Sequence, residues 1–150
     1  MKKPLILKNL GEVMDWLDRM EKAENIQVQG PWDVYQNLYH CALALGFTIK
    51  GYPEPKSRLF QATIGKLAYH VYSSRGYMRH DTAQPTEGTQ AAPPNGSLEG
   101  IHLLRESILT FDQWEGPLQP HVAYGHLNKK QYEKAHTMHI ANHLENFIIH

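Results

Sequence analysis

The stretch HTMHIANH, residues 136 to 143, contains three histidines separated by uncharged residues. At 100° per residue, a helix through this stretch brings the histidines onto one face, in the three- and four-residue steps of a buried stripe. The same face extends in both directions and carries five side chains: Tyr132, His136, His139, His143 and Phe147. Because an aromatic residue stands at each end, the spacing predicts that this face points into a helical core.

Buried imidazoles in a row need partners, because neutral rings lose their hydrogen bonds to water and protonated rings repel one another. A divalent metal ion removes both problems by taking one lone pair from each ring. His139 and His143 have the i, i+4 spacing of a chelating pair, and His136 with His139 is an alternative pair. His40, at the edge of the inward face of a second predicted helix, is the best third ligand. The predicted site is Zn²⁺ or Ni²⁺ on His40, His139 and His143, with an open position typical of catalytic sites.

Other groupings of the same residue types are less favoured. Two Glu-x-x-His motifs, Glu99 with His102 and Glu133 with His136, resemble the ligand motif of di-iron helical bundles. Such a site also needs a glutamate on each of two other core helices, and the second predicted helix has none. Cys41 is expected to pack as a small core residue rather than to act as a nucleophile. A histidine-rich helical core without metal is the remaining alternative.

Apolar residues recur at helical spacing along most of the chain, which predicts five helices and no strand. The predicted helices are Leu10 to Met20 after the cap Asn9, Trp32 to Lys50, Arg58 to Arg75, Leu98 to Glu115 after the cap Ser97, and a last helix from the cap Asn128 to the C-terminal end. The connections 76–97 and 115–128 exceed the ~2–8 residues usual in a bundle, so we expect both near the functional end. The predicted fold class is all-α, a single domain over residues 1–150: a four-helix bundle with an extra short helix and long connecting loops.

The numbers of basic and acidic residues limit the kinds of binding partner that the sequence favours. Fifteen basic and fifteen acidic residues cancel, and without a run of Lys and Arg the composition does not favour a nucleic-acid partner. No apolar window approaches the ~18–20 residues of a membrane span, and the N-terminal sequence lacks the features of a signal peptide. The single cysteine excludes an intramolecular disulfide. We therefore expect a cytoplasmic protein that acts on a small molecule, with no nucleic-acid or membrane partner.

Three blocks of the sequence resemble the DinB/YfiT-like superfamily, and more narrowly a branch of it described only as a domain of unknown function. These blocks are WDVYQNLYHCALALGFTIKGYPEPKS, LFQATIGKLAYHVYSSRGYMRHD and PHVAYGHLNKKQYEKAHTMHIANHLENF. The resemblance implies a four-helix bundle in which three histidines hold a divalent metal, one from the second helix and two from the last. His40, His139 and His143 match that pattern. Relatives in this branch often carry a further histidine where this chain has Asn142, so a proton-relay role for that position is not carried over.

The resemblance also implies a class of chemistry. Characterised members of the wider superfamily include metal-dependent thiol transferases and a thiol-dependent isomerase, and many members are dimers. With the histidine stripe, this favours a thiol-dependent S-transferase in which the metal binds a low-molecular-weight thiol as its thiolate. A metal-dependent hydrolase and a non-catalytic, stress-related binding protein are the alternatives. His80, His121 and Tyr124, from the long connections, are candidates for substrate contacts, and a homodimer is expected from the resemblance alone.

Overall fold

The computed structural model of the protein describes residues 2–150, which form five helices and one two-stranded sheet. The elements are α1 (Leu10–Lys22), β1 (Ile26–Val28), α2 (Val34–Lys50), α3, α4 (Ser97–Gln113), α5 (Lys129–Leu144) and β2 (Phe147–Ile149). The helix α3 has three consecutive parts: Arg58–Phe60, a π-helical turn Gln61–Gly65, and Lys66–Arg75. In this part of the chain, no helix combines the length and the apolar composition needed to cross a membrane. The prediction of a mostly helical protein is confirmed.

Four of the helices enclose the hydrophobic core. Helix α2 makes its most extensive contact with α4, α5 packs against α2, and α1 contacts both α4 and α5. The predicted stripes of α1 and α4 are buried, except that Met14 is only partly covered: Leu10, Val13, Leu17, Met20, Ile101, Leu104, Ile108 and Phe111. Full burial of one such side chain stabilises the fold by roughly 1.5–3 kcal/mol. This packing sets α2, which carries His40, directly against α5, which carries HTMHIANH.

Side-chain caps begin the helices that carry the candidate ligands. Asp33 accepts a hydrogen bond from the backbone N–H of Gln36, whose side chain bonds back to the Asp33 backbone, so α2 starts with a complete capping box. Asn128 and Gln131 form the same reciprocal pair at the start of α5, as the sequence predicts. Asn9 caps α1 through the backbone N–H of the third helical residue. These caps fix where along the bundle each ligand-bearing helix begins.

The start and the buried face of α2 differ from the sequence prediction. Because Asp33 is the cap, α2 begins at Val34, and Trp32 lies before the helix. The predicted inward residues are each only partly buried: Trp32, Gln36, His40, Leu43 and Phe47. The side chains that reach the core lie on a neighbouring face: Leu38, Cys41, Leu45 and Thr48. As a result, His40 lies at the edge of the core, half-buried.

The limits of α4 also differ from the prediction. Ser97 is the first residue of the helix rather than its cap, and Gly96 occupies the cap position without a side-chain hydrogen bond. At the other end, α4 stops at Gln113, because Trp114 leaves the helical conformation and its N–H bonds back to Phe111. The helix is therefore a residue longer at its start, and two residues shorter at its end, than the apolar spacing indicates.

The expectation of a chain without strands is wrong. The last helix ends at Leu144, and the chain continues as β2, which pairs antiparallel with β1. In this register Val28 lies opposite Phe147, and Ile26 lies opposite Ile149. Each strand has only three residues, too few for an alternating pattern to be recognised in the sequence. Phe147 still contributes to the core, but from a strand rather than from the end of the histidine helix.

The predicted inward face of α3 is also wrong. The spacing predicts the buried stripe Phe60, Ile64, Leu67 and Val71, but Ile64, Leu67 and Val71 are 62%, 67% and 46% exposed. The side that faces the protein instead carries Gly65 and Tyr69, which are buried. The π-helical turn explains the difference, since it places an extra residue in one turn and so changes the face on which later side chains fall.

Candidate metal centre

His40, His139 and His143 lie together at the contact between α2 and α5. One ring nitrogen from each lies within 4.8 Å of the other two, and Nε2 of His40 is 3.1 Å from Nε2 of His139. The ring centroids are separated by 4.9 to 5.0 Å in all three pairs. The structure thus brings together the three histidines that the sequence analysis selects, in an arrangement compatible with a metal site.

The orientation of His143 is fixed by a residue that the sequence analysis does not identify. Nδ1 of His143 lies 2.8 Å from Oδ1 of Asn37. The amide nitrogen of Asn37 donates to the backbone oxygens of Asp33, at 2.9 Å, and Trp32, at 3.3 Å. The amide oxygen must therefore accept, and the Nδ1–H of His143 must donate. Asn37 precedes His40 by three residues on α2, so the spacing indicates only that both lie on one side of the helix, not that Asn37 meets His143.

The other ring nitrogen of His143 is the least satisfied polar atom of this site. With the hydrogen on Nδ1, Nε2 carries a lone pair, yet it is fully buried and has no hydrogen-bond partner among residues 2–150. An unpaired buried acceptor costs roughly 1–3 kcal/mol relative to a paired one. Because His40 and His139 present their rings beside it, a metal ion is the kind of partner that fits this donor set.

Burial keeps the three rings in the form that can bind a metal. Desolvation, together with the nearby His80, lowers the pKa of His40 to about 4. Desolvation and the neighbouring histidines lower the pKa of both His139 and His143 well below the usual range. All three imidazoles are therefore neutral near pH 7, and a lone pair on each is available without the loss of a proton.

His136 belongs to a different set of contacts. Its Nε2 lies 2.8 Å from the hydroxyl oxygen of Thr48. That hydroxyl oxygen also lies 3.2 Å from the backbone oxygen of Ala44. The ring is stacked on Tyr132 with centroids 5.4 Å apart. In this structure the alternative pair of His136 with His139 is therefore not assembled, and His136 acts as a hydrogen-bonded core residue.

A cavity of about 420 Å³ opens beside the three histidines, and His40 and His139 form part of its wall. Both long connections contribute to its lining, as the sequence predicts for the functional end. The other lining residues are Ala44, Tyr52, Lys56, Met78, His80, Asp81, Gln84, Pro85, Thr86, Glu87, His121, Val122, Ala123, Tyr124, Ala135 and His136. This volume suits a small molecule, which would meet the two rings of the cluster that border the cavity, His40 and His139, from one side.

The three candidates for substrate contacts, His80, His121 and Tyr124, all line this cavity. The ring centroid of His80 lies 5.5 Å from that of His139. The backbone N–H of His80 donates to the amide oxygen of Asn142 at 3.3 Å. Asn142 thus holds the loop that carries His80. The ring of His121 is stacked on that of Tyr124. The structure places all three in the wall of the cavity that borders the histidine cluster.

The competing readings of the sequence find no support in the geometry. His102 is exposed and lies 3.3 Å from Glu21 on the surface. Glu133 accepts a hydrogen bond from the backbone of Leu10 at 3.5 Å, so neither residue faces a shared carboxylate site. Cys41 is fully buried, and burial raises the pKa of its thiol well above the ordinary value. Cys41 therefore packs as a core residue, as expected, and does not have the exposure or the lowered pKa of a nucleophile.

Comparison with known proteins identifies the family of this chain but assigns no activity to it. The family described as "Protein of unknown function (DUF1569)" matches residues 1–149. No curated protein and no solved structure matches the chain. The match covers both helices that carry the clustered histidines and both long connections that line the cavity. The chain therefore belongs to this family of unknown function, and in this chain the matched region contains a three-histidine cluster beside a cavity.

Proposed function

We propose that the protein is a DinB-like metalloenzyme that holds one divalent ion, Zn²⁺ or Ni²⁺, on His40, His139 and His143. The observation that carries the proposal is Nε2 of His143, a buried lone pair without a partner among the described residues. Buried acceptors in native proteins almost always have a partner, and an ion held by the three rings would supply one. The sequence resemblance to the DinB/YfiT-like superfamily supports the same three ligands.

The residues around the cluster fit a metal site of the catalytic type. Three neutral imidazoles are a donor set that suits Zn²⁺ and Ni²⁺, and Asn37 gives His143 the second hydrogen bond that metal-bound histidines usually make. Such an ion would supply a Lewis acid that keeps a bound thiol or water deprotonated near neutral pH. His143 is closed off from solvent, whereas His40 and His139 border the cavity, so a substrate would approach from their side.

We propose thiol transfer as the reaction: a low-molecular-weight thiol gives up its proton at the cluster and attacks an electrophilic carbon of a small molecule, and the leaving group departs with the electron pair of its bond to that carbon. The support is the resemblance, together with a cavity large enough for two small reactants in contact with His40 and His139. Within the cavity, His80 lies beside His139 and can exchange protons with a reactant. His80 also favours a second candidate, a hydrolase, in which this imidazole takes a proton from water.

The decisive experiment measures bound metal by mass spectrometry in the untagged protein. We expect near-stoichiometric Zn²⁺ or Ni²⁺ and its loss in the double variant His139→Ala/His143→Ala. The matched control, His70→Ala/His126→Ala, also removes two histidines but from exposed positions outside the cluster, and it should retain the metal. Native protein that takes up neither ion after incubation with each would refute the metal site.

Metal-loaded protein then distinguishes the reactions. Turnover of an electrophile that requires added thiol would support the transferase, and turnover without thiol would support the hydrolase. Tight binding of small molecules without turnover under either condition would favour a binding protein. The variant His40→Ala should lose both metal and turnover, since it removes the one ligand that α2 supplies.

A further inference from the structure

We infer that His121 binds the substrate by donating its Nε2–H to a carbonyl-type oxygen of an uncharged molecule in the cavity. The inference rests on the proposed function in one respect: it takes the cavity beside the three histidines as the substrate site. The donor itself is defined by contacts of His121 that do not involve His40, His139 or His143.

The proton of His121 is confined to Nε2 by the backbone. Its Nδ1 lies 3.1 Å from the backbone nitrogens of both Ala123 and Tyr124, and both N–H groups donate to it. A hydrogen on Nδ1 would face two other hydrogens, so Nδ1 carries the lone pair and Nε2 carries the proton. Among the described residues, Nε2 has no hydrogen-bond partner of its own. His121 lines the cavity and its Nδ1 is bonded within its own loop, so Nε2–H is the ring group left for a ligand there.

The ring is held rigidly, as a specific donor requires. It stacks on Tyr124 with centroids 4.1 Å apart and planes inclined by 6°. The tight loop that carries it closes on itself, because N–H of His121 donates to the carbonyl of Gly125 at 2.8 Å and Gly125 returns a bond of 3.2 Å. These contacts leave the ring little freedom to rotate away from a ligand.

The π-helical turn of α3 anchors the same loop from outside. The side chain of Gln61 donates to the carbonyl of His121 at 3.3 Å, and Lys66 donates to the carbonyl of His126 at 2.6 Å. Between Gln61 and Lys66 in the sequence, Gly65 approaches the His121 loop very closely. A Cβ added to Gly65 would lie 1.7 Å from the carbonyl oxygen of Ala123. Such turns are often found at functional sites, and this one has a specific effect: it positions the His121 loop.

The charges of the cavity favour an uncharged ligand. Among the described residues that line it, Lys56 carries the one fixed positive charge, and it is paired with Glu87 at 2.6 Å. Asp81 adds a negative charge. Burial lowers the pKa of His121 to about 3, so its ring is a neutral donor at pH 7. In the metal-free protein, a carboxylate or phosphate would therefore lose water without meeting a free cation among the lining side chains, whereas a ketone, amide or ester oxygen needs only a hydrogen bond.

The tautomer can be tested without any ligand or metal. Long-range ¹H–¹⁵N NMR of histidine-labelled protein, metal-free and metal-loaded, should show His121 as the neutral Nε2–H tautomer at pH 7. The signal is assigned by its loss in His121→Gln. A cationic ring or an Nδ1–H tautomer would overturn the inference, whatever the result of the metal measurement.

The second part of the inference, that the ligand is an uncharged molecule with a carbonyl-type oxygen, is tested by comparing the affinities of three ligands. In the metal-free protein, we would measure the binding of cyclohexanone, of its hydrocarbon isostere methylenecyclohexane and of cyclohexanecarboxylate by chemical-shift titration. We expect the ketone to bind more tightly than the hydrocarbon, by on the order of tenfold for one hydrogen bond, and more tightly than the carboxylate. His121→Phe should abolish the preference for the ketone, His121→Gln should restore part of it, and the exposed control His126→Phe should leave it unchanged.

The outcomes separate this inference from the proposed function. If the ketone has no advantage over the hydrocarbon, or the carboxylate binds best, the inference is wrong even when the metal site is confirmed. If the protein takes up no metal but His121 still gives the ketone its advantage, the inference stands and the metalloenzyme proposal fails.

Discussion

Asn37 and His143 meet across the contact between α2 and α5, and the amide oxygen of Asn37 accepts the Nδ1 hydrogen of His143 at 2.8 Å. The amide group of Asn37 is in turn fixed by the backbone oxygens of Trp32 and Asp33 at the start of α2. The beginning of one helix thus sets the tautomer of a histidine on another. Its remaining lone pair is left beside His40 and His139, where a metal ion would need it.

The first prediction is that Asn37→Ala weakens metal binding without removing a ligand. Without the amide oxygen, His143 loses the hydrogen bond that holds its ring and its tautomer. Loss of such an outer contact typically lowers metal affinity by about 10–100-fold. Competition with a chromophoric chelator measures the affinity.

The matched variant for this test is Asn37→Asp, which keeps an acceptor oxygen at the same position. It should retain more of the affinity than Asn37→Ala, although both variants lose the amide donor to the backbone oxygens of Trp32 and Asp33. Equal affinity in the native protein and in Asn37→Ala would show that Asn37 does not orient His143 for a metal.

The second prediction concerns Cys41, the single thiol of the chain. Because the side chain is fully buried and burial raises its pKa, the thiolate required for reaction is scarce in the folded protein. A chromogenic disulfide reagent should label Cys41 rapidly in denaturant and slowly in buffer. Cys41→Ala should keep its bound metal, which checks that the fold and the histidine cluster survive. Rapid labelling of the native protein would return Cys41 to the candidate nucleophiles.

The third prediction is that the metal-free protein loses stability in acid. Burial lowers the pKa of both His121 and His136 to about 3, against an ordinary value of 6.5. Between these values the unfolded chain binds protons that the folded chain does not. The free energy of unfolding should therefore fall as the pH falls from about 6.5 toward 3, by up to about 1.4 kcal/mol per pH unit for each histidine.

Chemical denaturation at a series of pH values checks this slope. His136→Gln removes a titrating group but keeps an N–H donor for Thr48, so its free energy of unfolding should depend less steeply on pH than that of the native protein. If His136→Gln has the same slope as the native protein, His136 is not kept neutral by burial.

The sequence predicts the three histidine ligands better than it predicts the residues and turns that surround them. His139 and His143 share a helix, so a fixed period relates them, and His40 needs only a second helix packed alongside. Asn37 could not be selected in this way, because its role depends on which face of α2 meets His143. That face follows from packing against α4 and α5, and the apolar spacing of α2 points to the wrong one.

The same reasoning explains the errors in α3 and at the chain end. A single glycine in a helix usually lowers helical propensity, and nothing in the sequence shows that Gly65 lies in a π-helical turn against Ala123. That turn changes the register of Leu67 and Val71, which are exposed as a result. The pairing of Val28 with Phe147 joins residues far apart in the chain, through strands too short to leave a pattern.

The last prediction is that Gly65→Ala disturbs the His121 loop. A Cβ at this position would lie 1.7 Å from the carbonyl oxygen of Ala123, so the backbone of the loop must move. Overpacking of this kind typically destabilises a protein by about 1–3 kcal/mol. Gly46→Ala is the matched control, because Gly46 also lies within a helix but has no neighbour within 4 Å of an added Cβ. It should be neutral or stabilising by up to about 1 kcal/mol, since alanine favours a helix.

Two measurements on this pair of variants decide whether the close approach serves the site. Chemical denaturation gives the change in the free energy of unfolding, and histidine NMR reports the tautomer and surroundings of His121. Gly65→Ala should shift the His121 signal while the signals of His40 and His139 move less, because Gly65 contacts the loop and not the histidine cluster. If Gly65→Ala and Gly46→Ala are equally stable and both keep the native His121 signal, α3 does not position the loop.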